Sequence, residues 1–406
     1  MTTHRIIHTR EDPMTLQESL PEPVGMSASQ LEAAACYMKE VVDLGALPLC
    51  EILVARGSRI VLHDRYVNPR VAEQGFELTG DTIFEVASVT KPLCALVVMR
   101  QVEMGRLALD IPVSEYIPEF GKVGKGLVTT RHLLSHSAGM GDLIDGPPPT
   151  STEELLDRVY DQPLVFEPGT RSSYSTLGFE VVAELVRRVS GEELSKLGDD
   201  LFSSVGIGQT HFRARGESGS ASAWRRHVLP LFDRDLVAHE DPFDGEMEIH
   251  PHFEYITAGG RGCSSAADLA VIGQMMLNKG MYGNVRVLSP ASAERMIERQ
   301  FVWSDTPERM TSSDRYMFLS KALGWMVRGE ALYFGGDLMS PRAFFHGGAY
   351  GSRVLVDPEY DLVLVFMTST WQHPVTGEEG IQVPEHVNDF IKIQRVFANM
   401  VYGALC

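Results

Sequence analysis

The sequence predicts an α+β protein: an antiparallel sheet built from both chain ends and flanked by terminal helices, with a large, mainly helical domain inserted between. Two observations carry this. Strand-like stretches lie near both ends, "CEILVARGSRIVLHDRYV" (50–67) and "AFFHGGAYGSRVLVDPEYDLVLVFMTS" (343–369), while the middle reads with helical periodicity. At 406 residues, 44% of them hydrophobic, the chain is long enough to bury a large core.

In chain order, residues 1–26 are polar and Pro-containing and are expected to be loosely ordered. "SASQLEAAACYMKEVVDLG" (27–45) opens on cap-type serines and runs helically to a stop at Gly45. The 50–67 stretch reads as two strands around Arg56-Gly57-Ser58, a hairpin. Helical patterns follow at 177–190 and 267–279, with breaks at "DGPPPTS" (145–151) and "FEPGTRSSYS" (166–175). The 343–369 stretch reads as three strands, the last two joined by a turn at residues 357–361. An amphipathic helix closes the chain, with Pro384 near its start. The expected division is a flexible segment at 1–26, a sheet domain from 27–85 and 320–406, and a helical domain at 86–319. Within the last, 213–255 is an irregular polar excursion or lid.

Composition excludes several classes. A net charge of -18 and a pI near 5.2 argue against nucleic acid or an anionic membrane as partner. No apolar run approaches the roughly 20 residues that span a bilayer, and the N-terminus lacks the apolar centre of an export signal. Five scattered cysteines with no CxxC pair read as reduced thiols, so a cytoplasmic setting is expected. No GxSxG, HExxH, Walker A or strand-linked GxGxxG occurs. His132 and His136 are spaced for metal ligation, yet lack a carboxylate at useful spacing and read as packing or capping histidines. The set His239, Glu240, Asp241, His250 and His252, and the group Trp224, Arg225 and Arg226, read as solvated polar chain. No metal and no organic cofactor is expected.

Chemistry concentrates elsewhere. "FEVASVTKPLCALVV" places Ser88 and Lys91 three residues apart where an apolar helix begins, in a chain with only 8 lysines. If the helix starts near Ser88, the amine reaches the hydroxyl. A lysine half-buried in such company loses hydration and acidifies, which is one way to activate a serine without a histidine. "SSYSTLG" puts Tyr174 in a polar loop before a helix, where its phenol could exchange a proton if nearby cations lower its pKa. "FFHGGAYG" puts Gly347 and Gly348 at a strand end, open to close backbone approach and to an N–H for an oxyanion.

Together these three motifs resemble Ser-x-x-Lys, Tyr-x-Asn and Lys-Thr-Gly, the set of serine β-lactamases and penicillin-binding proteins. Order and spacing resemble the class C branch, which includes family VIII carboxylesterases and related transacylases. "TTRHLLSHSAGM" (129–140) and "AGGRGCSSAADLAVIGQMMLNKG" (258–280) extend the resemblance to roughly residues 28–402. It implies Ser88 as acylated nucleophile, Lys91 as its proton partner, Tyr174 as general base and acid, and the N–H groups of Ser88 and Ala349 as oxyanion hole. Two positions depart from the pattern. Thr176 stands for the asparagine, and His346 for the ammonium that would hold a substrate carboxylate; a mostly neutral imidazole does this less well. His-x-Gly is similar to esterases and transacylases of the family. The expected activity is acyl transfer from a small ester, thioester or amide to water or to an alcohol or amine acceptor. The alternatives are a β-lactamase or D-Ala-D-Ala peptidase, and a non-catalytic binding scaffold.

Overall fold

The structure, a computed structural model, describes residues 14–142, 149–212, 227–233, 235–239, 258–300, 320–328, 335–370 and 390–406. Its centre is an eight-stranded sheet made from the two ends of the chain. From the N-terminal side come β1 (Gln17–Glu18), β2 (Leu49–Arg56) and β3 (Arg59–Val67). Away from this sheet lie β4 (Phe84–Ala87), β5 (His211–Phe212) and β6 (Gly262–Ser264). The C-terminal part gives β7 (Ser320–Lys321), β8 (Met326–Val327), β9 (Phe344–Gly347), β10 (Arg353–Asp357) and β11 (Leu362–Met367). The large sheet runs in the order β1-β3-β2-β11-β10-β9-β8-β7, and β4-β6-β5 form a small one. Every pairing in the large sheet is antiparallel except β1 with β3.

Turn chemistry fixes the registers. Gly57 and Ser58 take φ of 58° and 59° between Arg56 and Arg59, which pair. Two positive φ values define the turn whose twist matches that of its strands, and glycine tolerates the first at little cost. At the 357–361 turn, buried Asp357 accepts hydrogen bonds from Ser340 N (2.8 Å), Glu359 N (3.1 Å) and Tyr402 Oη (2.7 Å). That leaves its carboxylate satisfied without a cation.

Strand β11 reads as an unbroken apolar run, and β2 as one interrupted only by buried Glu51 before its closing Arg56, because both faces are covered. Alternate residues part between two cores. Leu53, Val363 and Val365 face one, with the long inserted helices; Ile52, Val54, Leu364 and Phe366 face the other, with α1 (Ala28–Asp43) and the last helix, Phe390–Gly403. Helix α1 starts as expected, with the Ser27 hydroxyl accepting from Gln30 N. The helical patterns at 177–190 and 267–279 appear as Leu177–Ser190 and Ala266–Leu277. In the latter, a Cβ on Gly273 would lie 2.7 Å from Val363 Cγ1, so this helix sits hard against the sheet.

Three details differ from expectation. The segment expected to be loose as far as residue 26 is tied in from Met14 onward: β1 pairs with β3, and Gly25 O accepts Arg56 Nη1 at 2.6 Å. The expected excursion holds a small antiparallel pair, Leu231–Phe232 with Ala238–His239, where the described residues cover it. Trp224, Arg225, Arg226, Glu240, Asp241, His250, His252 and Pro384 lie outside the described residues. Among the described residues, no helix is long and apolar enough to cross a membrane.

Candidate active site

The site lies where β4 hands over to helix Thr90–Glu103. The helix was expected to begin near Ser88. It begins at Thr90, and Ser88 occupies the turn before it. Ala87, just ahead of the serine, has φ +44°, a region a side chain rarely enters. Surrounding contacts hold that strain in place. Thr90 Oγ1 donates to Ala87 O (2.5 Å) and accepts from Gly262 N (2.7 Å). The turn therefore presents Ser88, only partly covered, above a helix whose next turn supplies Lys91.

Lys91 is fully buried. Its Nζ donates to Ser88 Oγ at 3.2 Å, to Thr176 Oγ1 at 3.4 Å and to the carbonyl of Gly259. It also lies 4.5 Å from the centre of the Tyr174 ring. Burial pulls its pKa from 10.5 to about 7; the carboxylates of Asp142 and Glu180 act against that fall, and Lys321 adds to it. Both carboxylates are also structural ties. Asp142 Oδ1 accepts from Thr176 N (2.5 Å) and Leu177 N (3.0 Å), capping helix Leu177–Ser190. Glu180 Oε1 accepts from Gly259 N at 2.8 Å and so aims the carbonyl that holds Lys91. A Cβ on Gly259 would sit 2.6 Å from Thr176 O, which reserves this position for glycine.

Tyr174 stands on the other side of Ser88. Its ring stacks on His136, centroids 4.4 Å apart, and His136 Nδ1 accepts from Ser175 N at 3.1 Å. The condition that nearby cations lower the pKa of the phenol is not met: burial pushes it above the usual tyrosine range, the Ser88 hydroxyl pulls only part of the way back, and the charge of Asp142 adds to the rise. At neutral pH it is a phenol, a proton donor. His136 and His132 do pack and cap: His132 Nδ1 accepts from Thr129 N in a capping box.

The end of β9 closes the site. His346 is buried, with Nδ1 2.9 Å from Gly347 O; burial and then Lys91 hold its pKa well below the usual histidine value. It is a neutral imidazole. The two glycines do not play the same part. A Cβ on Gly348 would lie 2.3 Å from Val86 O, so here the strand end meets the backbone that leads to Ser88. A Cβ on Gly347 would meet nothing nearer than Arg353 Nε at 3.7 Å. Ala349 packs with Tyr350 and Leu231 against Ala87, and among the described residues neither Ser88 N nor Ala349 N donates to a backbone carbonyl.

Ser88, Lys91, Tyr174, Thr176, His346, Gly348 and Ala349 thus converge as the sequence suggested. Missed were Asp142, Glu180, Gly259 and Lys321, each brought in by tertiary packing; His136, read as a packing histidine, is the one that packs on Tyr174. A signal did exist for Lys321, a lone lysine in the apolar stretch "MFLSKALGWMV". Among the described residues no group of three or more His, Cys, Asp or Glu side chains is placed to hold a metal ion.

The family model described as Beta-lactamase matches residues 39–384. The chain belongs to the β-lactamase family. Members of this β-lactamase family are serine hydrolases. An Escherichia coli (strain K12) protein provisionally named a D-alanyl-D-alanine carboxypeptidase is 24% identical over 400 residues, covering 90% of this chain and 88% of its own. The crystal structure of a family VIII carboxylesterase superposes with a TM-score of 0.71 at 21% identity, covering 95% of this chain and 99% of that one. EstCE1, a hydrolase with promiscuous acyltransferase activity, gives 0.69 at 21% identity, with 92% and 99% covered. At such identities the two structures show the fold alone.

Proposed function

We propose that this β-lactamase-family protein is a serine acyl-transfer enzyme that forms an acyl-enzyme on Ser88 from a small ester, thioester or amide, then passes the acyl group to water or to an alcohol or amine. The observation that carries this reading is the buried Lys91 amine, titrating near 7 and 3.2 Å from the Ser88 hydroxyl. Neutral Lys91 takes the Ser88 proton as Oγ bonds to the acyl carbon. The charge that develops on the carbonyl oxygen is met by the N–H groups of Ser88 and Ala349. As the bond to the leaving group breaks, the Tyr174 phenol supplies its proton and is reprotonated from Lys91. This revises the role that the resemblance gives Tyr174: a phenol with a raised pKa serves better as donor than as resting base. Deacylation runs the same steps with water or the acceptor as nucleophile.

The neutral, buried His346 supports esterase or transacylase chemistry over β-lactam hydrolysis, because that position lacks the ammonium. The name of the Escherichia coli relative supports a second reading, a D-Ala-D-Ala peptidase. Intact-mass measurement after brief exposure to 4-nitrophenyl butyrate tests the proposal. A single butyryl adduct on the wild type and none on Ser88→Ala is the expected result; equal labelling of both proteins removes Ser88 from the chemistry.

A further inference from the structure

Among the described residues three lysines are fully buried: Lys91, Lys125 and Lys321. Two are satisfied. Lys91 has the partners described, and Lys125 donates to the carbonyls of Tyr160 (2.9 Å) and Gln162. Lys321 Nζ has no hydrogen-bond or ion-pair partner among the described residues. Burying an ammonium without an anion is among the costlier things a fold can do.

Its location gives that cost a purpose. Lys321 Nζ lies 5.5 Å from the centre of the Tyr174 ring, the ring that Lys91 also overlies. Its strand β7 pairs Lys321 with Met326, and Met326 pairs with Phe345, next to His346. The turn after Lys321 is pressed onto the nucleophile helix. Gly324 has φ +76°, and a Cβ there would lie 2.6 Å from Ala95 Cβ and 3.0 Å from Lys91 O. Lys321 O also accepts from Gln300 N at 2.8 Å, which fixes the backbone. A held backbone thus carries a buried, unpartnered amine into the site.

We infer that Lys321 is a specificity-determining residue of this site, receiving a carboxylate carried by the acyl donor. Resting on the acyl-transfer reading, this supplies from β7 the positive charge that His346, on β9, does not. Burial alone lowers Lys321 to about 7, and no described carboxylate raises it, whereas Asp142 and Glu180 support Lys91. An arriving carboxylate stabilises the protonated form, so the ammonium is made where the anion binds. Lys321 also lowers the pKa of His136, and with Lys91 that of His346, so its charge is felt across the pocket around Tyr174; the carboxylates there, Asp142 and Glu180, act on Lys91, and no described carboxylate acts on Lys321.

Two measurements test this. The first is calorimetric titration of wild type and Ser88→Ala with glutarate, which needs no turnover. Binding that weakens at least tenfold in Lys321→Met and is retained in Lys321→Arg is expected. Absence of glutarate binding, or equal binding in all variants, overturns the inference. The second is the ratio of kcat/KM for 4-nitrophenyl hydrogen glutarate to that for 4-nitrophenyl valerate. The ratio should fall at least tenfold in Lys321→Met. An unchanged ratio, or equal losses on both esters, would make Lys321 a helper of Lys91 and overturn the inference. If no ester acylates Ser88 yet glutarate binds through Lys321, the acyl-transfer reading fails and with it the acyl donor as ligand, while Lys321 keeps its role as a carboxylate-binding residue. Thermal melting of Lys321→Met confirms that the variant compared is folded.

Discussion

Lys91 as the base makes a quantitative demand on the pH profile. An ordinary lysine, pKa near 10.5, is neutral in only about one molecule in three thousand at pH 7. Burial brings Lys91 to about 7, so about half the molecules hold a free amine. That is a gain of about a thousandfold in the reactive form, in the range expected of a well-tuned proton acceptor. If acylation needs the neutral amine, kcat/KM for 4-nitrophenyl butyrate should rise about tenfold per pH unit below 7 and level off above it. Asp142→Asn sharpens the test. An amide keeps an oxygen for Thr176 N and Leu177 N, so the helix cap survives, but the negative charge that opposes the fall in Lys91 pKa is gone. The rising limb should then move to lower pH, by a few tenths to about one unit. Stopped-flow acylation between pH 5 and 8.5 measures both. A flat profile, or a limb that moves to higher pH in Asp142→Asn, refutes Lys91 as the base.

Other consequences follow from the same geometry. Tyr174→Phe removes the donor and should lower kcat at least about a hundredfold, with more loss for poor leaving groups than for nitrophenolate; a uniform loss would point to packing against His136 instead. Gly348→Ala puts a Cβ into Val86 O and must part β9 from the Ser88 turn, so acylation should fall about a hundredfold. The same change at Gly347 should do far less, and comparing their acylation rates tests the distinction. Lys321→Met should raise Tm by a few degrees near pH 7. The folded pKa of Lys321 lies below its unfolded value, so the unfolded chain holds more protons between about 7 and 10.5 and wild-type stability rises with pH across that window. The advantage of the variant is thus greatest at and below pH 7 and shrinks toward 10.5; melting curves at three pH values decide it.

What could be read from the sequence follows from how local each feature is. Ser88 and Lys91 are three residues apart, and the sheet's strands are declared by alternation and by turns such as Arg56-Gly57-Ser58. Those are short-range facts, although the central strands are declared by apolar runs between turns rather than by alternation. The start of the helix was misplaced by two residues because Ser88 resembles a cap, whereas the structure spends the serine on a strained turn held by Thr90 and Gly262. Asp142, Glu180 and Gly259 act on Lys91 from other parts of the chain, and nothing in their neighbours announces it. The direction of the Tyr174 pKa shift was left open by the sequence for the same reason: it depends on how far the ring is enclosed, which sequence spacing does not encode.

The two site lysines show how local burial and function separate. Both are fully buried, and burial is the largest cause that lowers each to about 7. Lys91 is braced by a carbonyl and two hydroxyls, with two carboxylates favouring its charged form, so its amine is held at a fixed distance from Ser88, as proton transfer requires. Lys321 is braced only through its backbone. An amine meant to shuttle a proton needs fixed neighbours; one meant to bind a visiting anion needs them absent, since a resident carboxylate would compete for the place. Lost satisfaction at Lys321 is therefore the expected form of a binding group. It also explains why the stabilising substitution Lys321→Met should remove recognition: the destabilising charge and the recognition are the same charge.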